Sequence, residues 1–253
     1  ANTIRLALYC VENDKLKQML SKKETVGLIR YVDKIGNLSR DGISKLIQVL
    51  KAYVATWEAI SVDELFTFAT ASLRNLTNTD EVLSRVKRRT GLDIHILTGY
   101  EEALFDYYGL LQEADVKRGL LMDVGGGSTE LVFMKKSIPV ATHSIDIGSL
   151  NLYTGFVSSI LPTEREIEKI RQHVAKQLSM IAKPEKFPAI DTLYTVGGTA
   201  RTAQLLYKAI SGTMCDYDGD EEPSDTFAPI PSEDFLSTLM IKPKKLTGFI
   251  LRL

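Results

Sequence analysis

Three consecutive glycines stand between two short apolar runs in residues 120–133, LLMDVGGGSTELVF. Two apolar runs joined by a glycine cluster are typical of a β-hairpin with a tight turn. Glycine allows positive φ and lets the backbone approach a ligand closely, and successive N–H groups in such a turn form a concavity that binds anions. The segment therefore predicts a hairpin that holds phosphate, with an ordinary chain reversal as the alternative.

The polar side chains around the glycines favour the phosphate site over the ordinary turn. Asp123 ends the first apolar run, and Ser128, Thr129 and Glu130 follow the glycines. A carboxylate at the end of a strand can hold a hard cation, directly or through water. We therefore expect a phosphate-and-magnesium site in which Asp123 is the magnesium ligand.

The composition is that of a globular protein with one large domain or two ordinary ones, because 44% of its 253 residues are hydrophobic and 25% are charged. The sequence contains no apolar run of roughly eighteen residues and no N-terminal signal peptide, so we expect neither a membrane partner nor secretion. A formal net charge of -1 provides no global field for nucleic acid. The cysteines Cys10 and Cys215 lie far apart, which fits a cytoplasmic protein.

Strand and helix signals alternate along the chain. Strands are predicted over residues 3–11, 65–70, 93–97, 138–147 and 192–196, and helices begin near Ser39, Thr79, Gly99, Gly148, Thr163 and Ala200. Each half begins with β-rich segments and continues with helices that alternate with strands. We therefore predict two related α/β domains, residues 1–117 and residues 118–253, with the ligand in the cleft between them.

A second glycine turn lies between the last of these strands and its helix, in the segment Val196 to Ala200. A helix N-terminus presents free N–H groups and the positive end of the helix dipole, which suits an anion. A simple strand-to-helix turn explains the two glycines equally well. Asn2 and Thr3, at the entry of the first strand, carry no information alone.

Four motifs in order resemble the exopolyphosphatase / guanosine pentaphosphate phosphatase family, within the superfamily of acetate kinase, Hsp70 and actin. They are ATASLR at residues 69–74, LTGYEEA at 97–103, MDVGGGSTEL at 122–131 and TVGGTAR at 195–201. The family's opening Asp-x-Gly-Ser-Asn-Ser run is matched only by Asn2 and Thr3. The resemblance covers nearly the whole chain and implies two ribonuclease-H-like (actin-like ATPase) domains with an inter-domain cleft.

The resemblance also implies roles for individual residues. Glu102, on a helix of the first domain, would be the base that orients and deprotonates water, while its neighbour Glu101 points elsewhere and is a solvated acid. Glu130 would help to orient water or metal, and Asp123 would hold Mg²⁺. Phosphate would be bound by Asn2, Thr3, Arg74, Gly125, Gly126, Gly127, Ser128, Thr129, Gly198 and Thr199.

The implied reaction is magnesium-dependent release of orthophosphate from the end of polyphosphate, or of the 5′ γ-phosphate of guanosine pentaphosphate, in the cytoplasm and in the stringent response. Two alternatives remain open: a sugar- or acetate-kinase-type phosphotransferase of the same superfamily, and a non-enzymatic nucleotide-binding regulator. A glutamate placed to activate water favours hydrolysis over the kinase. A homodimer stays open as the oligomeric state, and the acidic stretch Asp216 to Asp225 has no assigned role.

Overall fold

The computed structural model describes residues 3–12, 15–60, 62, 64–181, 190, 192–210 and 245–248. The chain divides into two compact units, Ala1–Thr98 (unit 1) and Gly99–Leu253 (unit 2). The division falls before Gly99 rather than at the predicted position between residues 117 and 118. The physical reason is packing, because the helix that begins at Gly99 lies on the sheet of unit 2.

Unit 1 combines an antiparallel strand pair with three helices and a short parallel strand pair. Its elements are β1 (Thr3–Glu12), β2 (Lys15–Thr25), a 3-10 helix (Leu28–Tyr31), α1 (Arg40–Glu58), β3 (Phe68–Ala69), α2 (Ala71–Arg74), α3 (Thr79–Thr90) and β4 (His95–Ile96). β1 pairs with β2, and β3 pairs in parallel with β4. The structure thus confirms strands within the predicted ranges 65–70 and 93–97, but each strand has only two residues.

In unit 1, the predicted helices α1 and α3 begin where the sequence signals predict, whereas the short helix α2 was not predicted. The Ser39 side chain accepts a hydrogen bond from the Gly42 N–H at the start of α1, as an N-cap does. Gly91 ends α3 with a left-handed φ of 75°, the conformation that favours glycine at a helix C-terminus. Val82 and Val86 of α3 are fully buried in a core shared with the apolar face of α1.

Unit 2 is built on a five-stranded sheet in the order β7-β6-β5-β8-β9. Its elements are α4 (Gly99–Glu113), β5 (Arg118–Val124), β6 (Thr129–Lys135), β7 (Ile138–Ile145), α5 (Ser149–Phe156), α6 (Glu164–Ser179), β8 (Thr192–Val196), α7 (Gly197–Ile210) and β9 (Lys245–Gly248). β6 is antiparallel to both of its neighbours, β5 and β7, whereas β8 lies parallel to β5 and β9 parallel to β8. The predicted hairpin of residues 120–133 is confirmed as β5 and β6.

One face of this sheet carries α4. Ala103, Tyr107 and Leu110 of the helix pack with Leu121 of β5 and Val132 of β6 in one buried cluster. Side chains two residues apart on a strand share a face, so the positions of Asp123 and Glu130 continue the rows that α4 covers. Among the described residues, no helix combines the length and the apolar character that crossing a membrane requires.

Candidate active site

Polar side chains form a row across three strands at the glycine end of the hairpin. Asp123 of β5 lies opposite Glu130 of β6, and Glu130 lies opposite Ser144 of β7. Residues directly opposite each other in an antiparallel pair have neighbouring side chains on one face. Asp123 is 7% exposed and Glu130 is 1% exposed, so the sheet holds two adjacent buried carboxyl groups.

α4 adds further carboxyl groups to this row. Glu102 and Asp106 are four residues apart on the helix, so they lie one above the other on the same side. One carboxylate oxygen each from Asp106, Asp123 and Glu130 lies within 4.8 Å of the other two. The charge of Glu102 also acts on Glu130. The acidic groups of α4, β5 and β6 therefore form one cluster.

The environment of Glu130 opposes its ionisation. Burial, followed by the negative charge of Glu102, raises the pKa of Glu130 to about 7, with a smaller contribution from Asp123. Hydrogen bonds from Ser144 and Ser128 oppose this increase, and the Ser144 hydroxyl donates to Glu130 Oε1 at 2.7 Å. Near neutral pH, Glu130 therefore exchanges between a protonated and an ionised carboxyl group.

Gly99 brings the start of α4 against β7. A Cβ atom at this position would lie 2.2 Å from Ser144 Cβ, a distance that side-chain carbons do not reach. Ser144 therefore contacts the first residue of α4 and also donates to Glu130. Gly99, the glycine of the LTGYEEA motif, thus has a packing role: it determines how closely the start of α4 approaches β7 and the acidic row.

Gly197 brings the start of α7 against Asp123. It has a left-handed φ of 89°, and a Cβ atom there would lie 2.2 Å from Asp123 Oδ1. By contrast, a Cβ at Gly198 would meet no atom within 4 Å. The predicted strand–glycine–helix arrangement is confirmed, with α7 following β8 directly, and the glycine that contacts the acidic cluster is Gly197.

The hydroxyl groups around the glycine turn have partners of their own. The Thr129 hydroxyl donates to the Ile147 carbonyl at 2.5 Å, and Ser128 is bonded to Glu130. The Thr199 hydroxyl of α7 lies 3.4 Å from the Ser149 Oγ of α5. A phosphate role for Ser128, Thr129 and Thr199 stays a prediction, and these contacts connect the turn, α5 and α7.

The predicted phosphate residues before Thr98 belong to unit 1. Arg74 ends α2, where its guanidinium Nη1 donates to the Leu97 carbonyl at 2.8 Å. Thr3 begins β1 opposite Thr25, and Asn2 lies outside the described residues. Their phosphate roles stay predictions. The acidic stretch Asp216 to Asp225 also lies outside the described residues.

Sequence reasoning missed Asp106, Ser144 and Asn151, and it placed Gly197 in the predicted glycine turn without giving it a role of its own. Asp106 had a usable signal, because its spacing of four from Glu102 on one helix places both carboxyl groups on one side. The other three depend on strand register and on backbone contacts between distant segments, which no local pattern shows.

The three carboxylates of Asp106, Asp123 and Glu130 form a donor set that suits a hard cation such as Mg²⁺.

Comparison with known proteins identifies the relatives of this chain. The model of the Ppx/GppA phosphatase family matches residues 8–236. Exopolyphosphatase 1 of Mycobacterium leprae is 26% identical over 163 residues, which cover 64% of this chain and 48% of that protein. The putative exopolyphosphatase of Haemophilus influenzae is 22% identical, over 81% of this chain and 64% of that protein. The chain thus spans about half the length of the mycobacterial relative.

Solved structures give the same result. The Aquifex aeolicus Ppx/GppA enzyme is 32% identical, with a TM-score of 0.67 over 82% of this chain and 68% of that one. The exopolyphosphatase of Cytophaga hutchinsonii is 21% identical, with a TM-score of 0.75 over 85% of this chain and 70% of that one, and this likeness shows the fold. The predicted fold class, a two-domain actin-like α/β fold, is confirmed.

Proposed function

Because the chain belongs to the Ppx/GppA phosphatase family, we propose that it is a Mg²⁺-dependent phosphoanhydride hydrolase. Its substrates are the end of inorganic polyphosphate, the 5′ γ-phosphate of guanosine pentaphosphate, or both. The observation that carries this proposal is the convergence of Asp106, Asp123 and Glu130 within 4.8 Å, beside Glu102 and the glycine turn. Clusters of like charge are costly in a protein interior and are retained where chemistry needs them.

Glu102 is the base of this reaction. Its carboxylate takes a proton from water as the water oxygen bonds to the terminal phosphorus, and the bridging P–O bond breaks. The leaving oxygen carries the electron pair away with the shortened chain or nucleotide. Glu102 is half-buried and Glu130 almost completely buried, so Glu102 is the carboxylate that water reaches more easily.

Glu130 is a second carboxyl group beside the base, and its protonation depends on the charge of Glu102. Its pKa of about 7 allows Glu130 to gain or lose a proton at neutral pH. When Glu102 accepts a proton, the repulsion between the two groups falls and Glu130 ionises more readily.

Asp123, together with Asp106 and Glu130, would hold Mg²⁺. The ion supplies positive charge that neutralises phosphate oxygens and stabilises the charge that develops on the leaving group. Carboxylate oxygens are the ligands that this ion prefers, and the three groups already lie close together. Without the ion, their mutual repulsion raises the cost of ionising the cluster.

Phosphate release measured without an acceptor tests the proposal. We expect the protein to release orthophosphate from tripolyphosphate, long-chain polyphosphate or guanosine pentaphosphate with Mg²⁺, and to release none with EDTA. Parallel reactions contain ATP with acetate or a hexose. Phosphorylated acceptor without orthophosphate release would identify a kinase, and nucleotide binding without turnover would identify a regulator; either result contradicts the proposal.

A further inference from the structure

The glycine turn is bonded to the first turn of α5 through its carbonyl groups. Ser149 N–H donates to the Gly125 carbonyl at 2.9 Å, and Leu150 and Asn151 N–H donate to the Gly126 carbonyl at 3.0 and 3.1 Å. The Asn151 side-chain Nδ2 donates to the Gly127 carbonyl at 2.8 Å. All three glycine carbonyls therefore face α5.

This bonding determines what each surface of the turn can bind. The first N–H groups of a helix lack partners within it, and those of α5 are occupied by the turn. In a planar trans peptide the N–H group points away from the C=O group. The N–H groups of Gly126, Gly127 and Ser128 therefore face away from α5, where they form a row of donors for an anion.

Asn151 connects three backbone groups, those of Gly127, Asp146 and Gly148, with one side chain. Its Oδ1 accepts from Gly148 N–H at 2.7 Å, and its Nδ2 donates to Gly127 and to the Asp146 carbonyl at 3.3 Å. Gly148 allows the two backbones to touch, since a Cβ there would lie 2.3 Å from the Gly126 carbonyl carbon. The glycine carbonyls accept hydrogen bonds from backbone N–H groups and from the Asn151 side-chain amide. These bonds hold the peptide planes of the turn in one orientation.

We propose that Asn151 is a positioning residue for phosphate binding. It fixes the Gly127 carbonyl against α5 and so directs the N–H groups of the turn toward the terminal phosphate of a phosphoanhydride. The proposal rests on the proposed function for the choice of ligand. The orientation of the turn itself does not depend on that choice, because it rests on the hydrogen bonds from the backbone of Ser149, Leu150 and Asn151 and from the Asn151 side chain.

Two substitutions separate the parts of this arrangement. Asn151→Leu keeps the approximate shape and removes every hydrogen bond of the side chain, whereas Asn151→Asp keeps an acceptor for Gly148 N–H and loses the donor to Gly127. Thr154→Val is the matched control, because the Thr154 hydroxyl donates to the Leu150 and Asn151 carbonyls within α5 and, in the part of the chain that the structure describes, not to the glycine turn. All three variants are compared with the wild type.

The first measurement is the affinity for tripolyphosphate with Mg²⁺, determined by calorimetry. Loss of one hydrogen bond at the turn is expected to raise Kd about tenfold in both Asn151 variants and to leave Thr154→Val near the wild type. The second is hydrogen–deuterium exchange of the peptide covering residues 124–129, which should become faster only in the Asn151 variants. Wild-type Kd or unchanged exchange in Asn151→Leu overturns the proposal.

The two proposals fail in different ways. If the wild type binds tripolyphosphate and releases no orthophosphate, hydrolysis is excluded, while a raised Kd and faster exchange in the Asn151 variants still support the positioning role. If the wild type hydrolyses tripolyphosphate and Asn151→Leu has wild-type Kd and KM, hydrolysis stands and the role of Asn151 is wrong.

Discussion

The two units of this chain use their polar side chains differently. Among the described residues, the side chains of polar or charged residues that are buried lie in unit 2: Asp123, Ser128, Thr129, Glu130 and Gln204. In unit 1, polar side chains satisfy backbone groups, as Asn78 does by bonding both the N–H and the carbonyl of Leu38 at 2.8 and 3.1 Å. Such bonds stabilise a fold, whereas adjacent buried carboxyl groups oppose it.

Two carboxyl groups show the same difference in their ionisation. In unit 1, a hydrogen bond from the Asn37 backbone N–H lowers the pKa of the exposed Asp33. In unit 2, burial and the charge of Glu102 raise the pKa of Glu130. The first arrangement stabilises a loop and the second keeps unfavourable charge in the interior, which indicates that the acids of unit 2 are placed for chemistry.

The largest predicted effect comes from Asp123→Asn, which removes a charge from the acidic cluster and preserves the shape of the side chain. We expect orthophosphate release to fall about 100-fold or more and the Mg²⁺ titration to shift to higher concentration. The matched change in unit 1 is Asp33→Asn, which should leave both measurements near the wild type. An unchanged Mg²⁺ titration in Asp123→Asn would show that the metal assignment is wrong.

The pH dependence of stability should distinguish Glu130 from other acids. Its pKa is raised above the unfolded value, so the associated stability is complete below about pH 4.5 and is lost as pH rises through about 7. In EDTA, the free energy of unfolding should fall by up to roughly 3 kcal/mol across this window, and Glu130→Gln should reduce that fall.

Glu166→Gln serves as the control for this pH series. The Thr163 backbone N–H lowers the pKa of Glu166 to about 2, so its stability is present above the unfolded pKa and is lost only in more acidic solution. Chemical denaturation at pH 5 to 8.5 should therefore show that the free energy of unfolding of this variant depends on pH as it does in the wild type. If the free energy of unfolding of Glu130→Gln also shows the wild-type dependence on pH, burial does not raise the pKa of Glu130 as described.

A pair of glycines compares the two units at equal backbone strain. Gly91 in unit 1 and Gly197 in unit 2 have φ of 75° and 89°, and a Cβ would meet no atom within 4 Å at Gly91 but would meet Asp123 at 2.2 Å at Gly197. Alanine in the left-handed region costs roughly 1–2 kcal/mol. Gly91→Ala should show this cost alone, and Gly197→Ala should lose more stability and also Mg²⁺ affinity. If Gly91→Ala and Gly197→Ala have equal effects on stability and on Mg²⁺ affinity, the contact of Gly197 with Asp123 has no influence on the acidic cluster.

The smallest predicted effect is at Arg74. Arg74→Met keeps the alkyl chain and removes the hydrogen bond to the Leu97 carbonyl, which should cost about 1 kcal/mol in chemical denaturation. Arg85→Met, which loses a partly exposed ion pair with Glu81 at 2.8 Å, should cost less. If Arg74→Met instead raises the KM for tripolyphosphate tenfold, unit 1 takes part in phosphate binding and the contrast between the units weakens.

Local signals in the sequence were sufficient for much of the fold. The hairpin of β5 and β6 follows from two apolar runs around glycines, and the caps Ser39, Gly91 and Thr163 act on residues within one helical turn. The assignment of α4 to unit 2 was not predictable in this way. It depends on Ala103, Tyr107 and Leu110 meeting the sheet, which is a contact between distant segments.

The candidate site shows the same limit. Asp123, Glu130 and Glu102 were predicted from residue type, order and family resemblance. The closeness of Asp106, the donor at Ser144 and the contact of Gly197 with Asp123 depend on the register of three strands and the seating of two helices. Those arrangements become apparent only when the packed structure fixes which side chains share a face.

The assignment of the base is tested most directly by two neighbouring glutamates. Glu102→Gln and Glu101→Gln change the same group at adjacent positions of α4, and orthophosphate release from tripolyphosphate with Mg²⁺ is measured for both. We predict that kcat falls at least about 100-fold in Glu102→Gln while tripolyphosphate still binds, and that Glu101→Gln stays within about twofold of the wild type because its side chain points elsewhere on the helix. Retained turnover in Glu102→Gln would contradict the account.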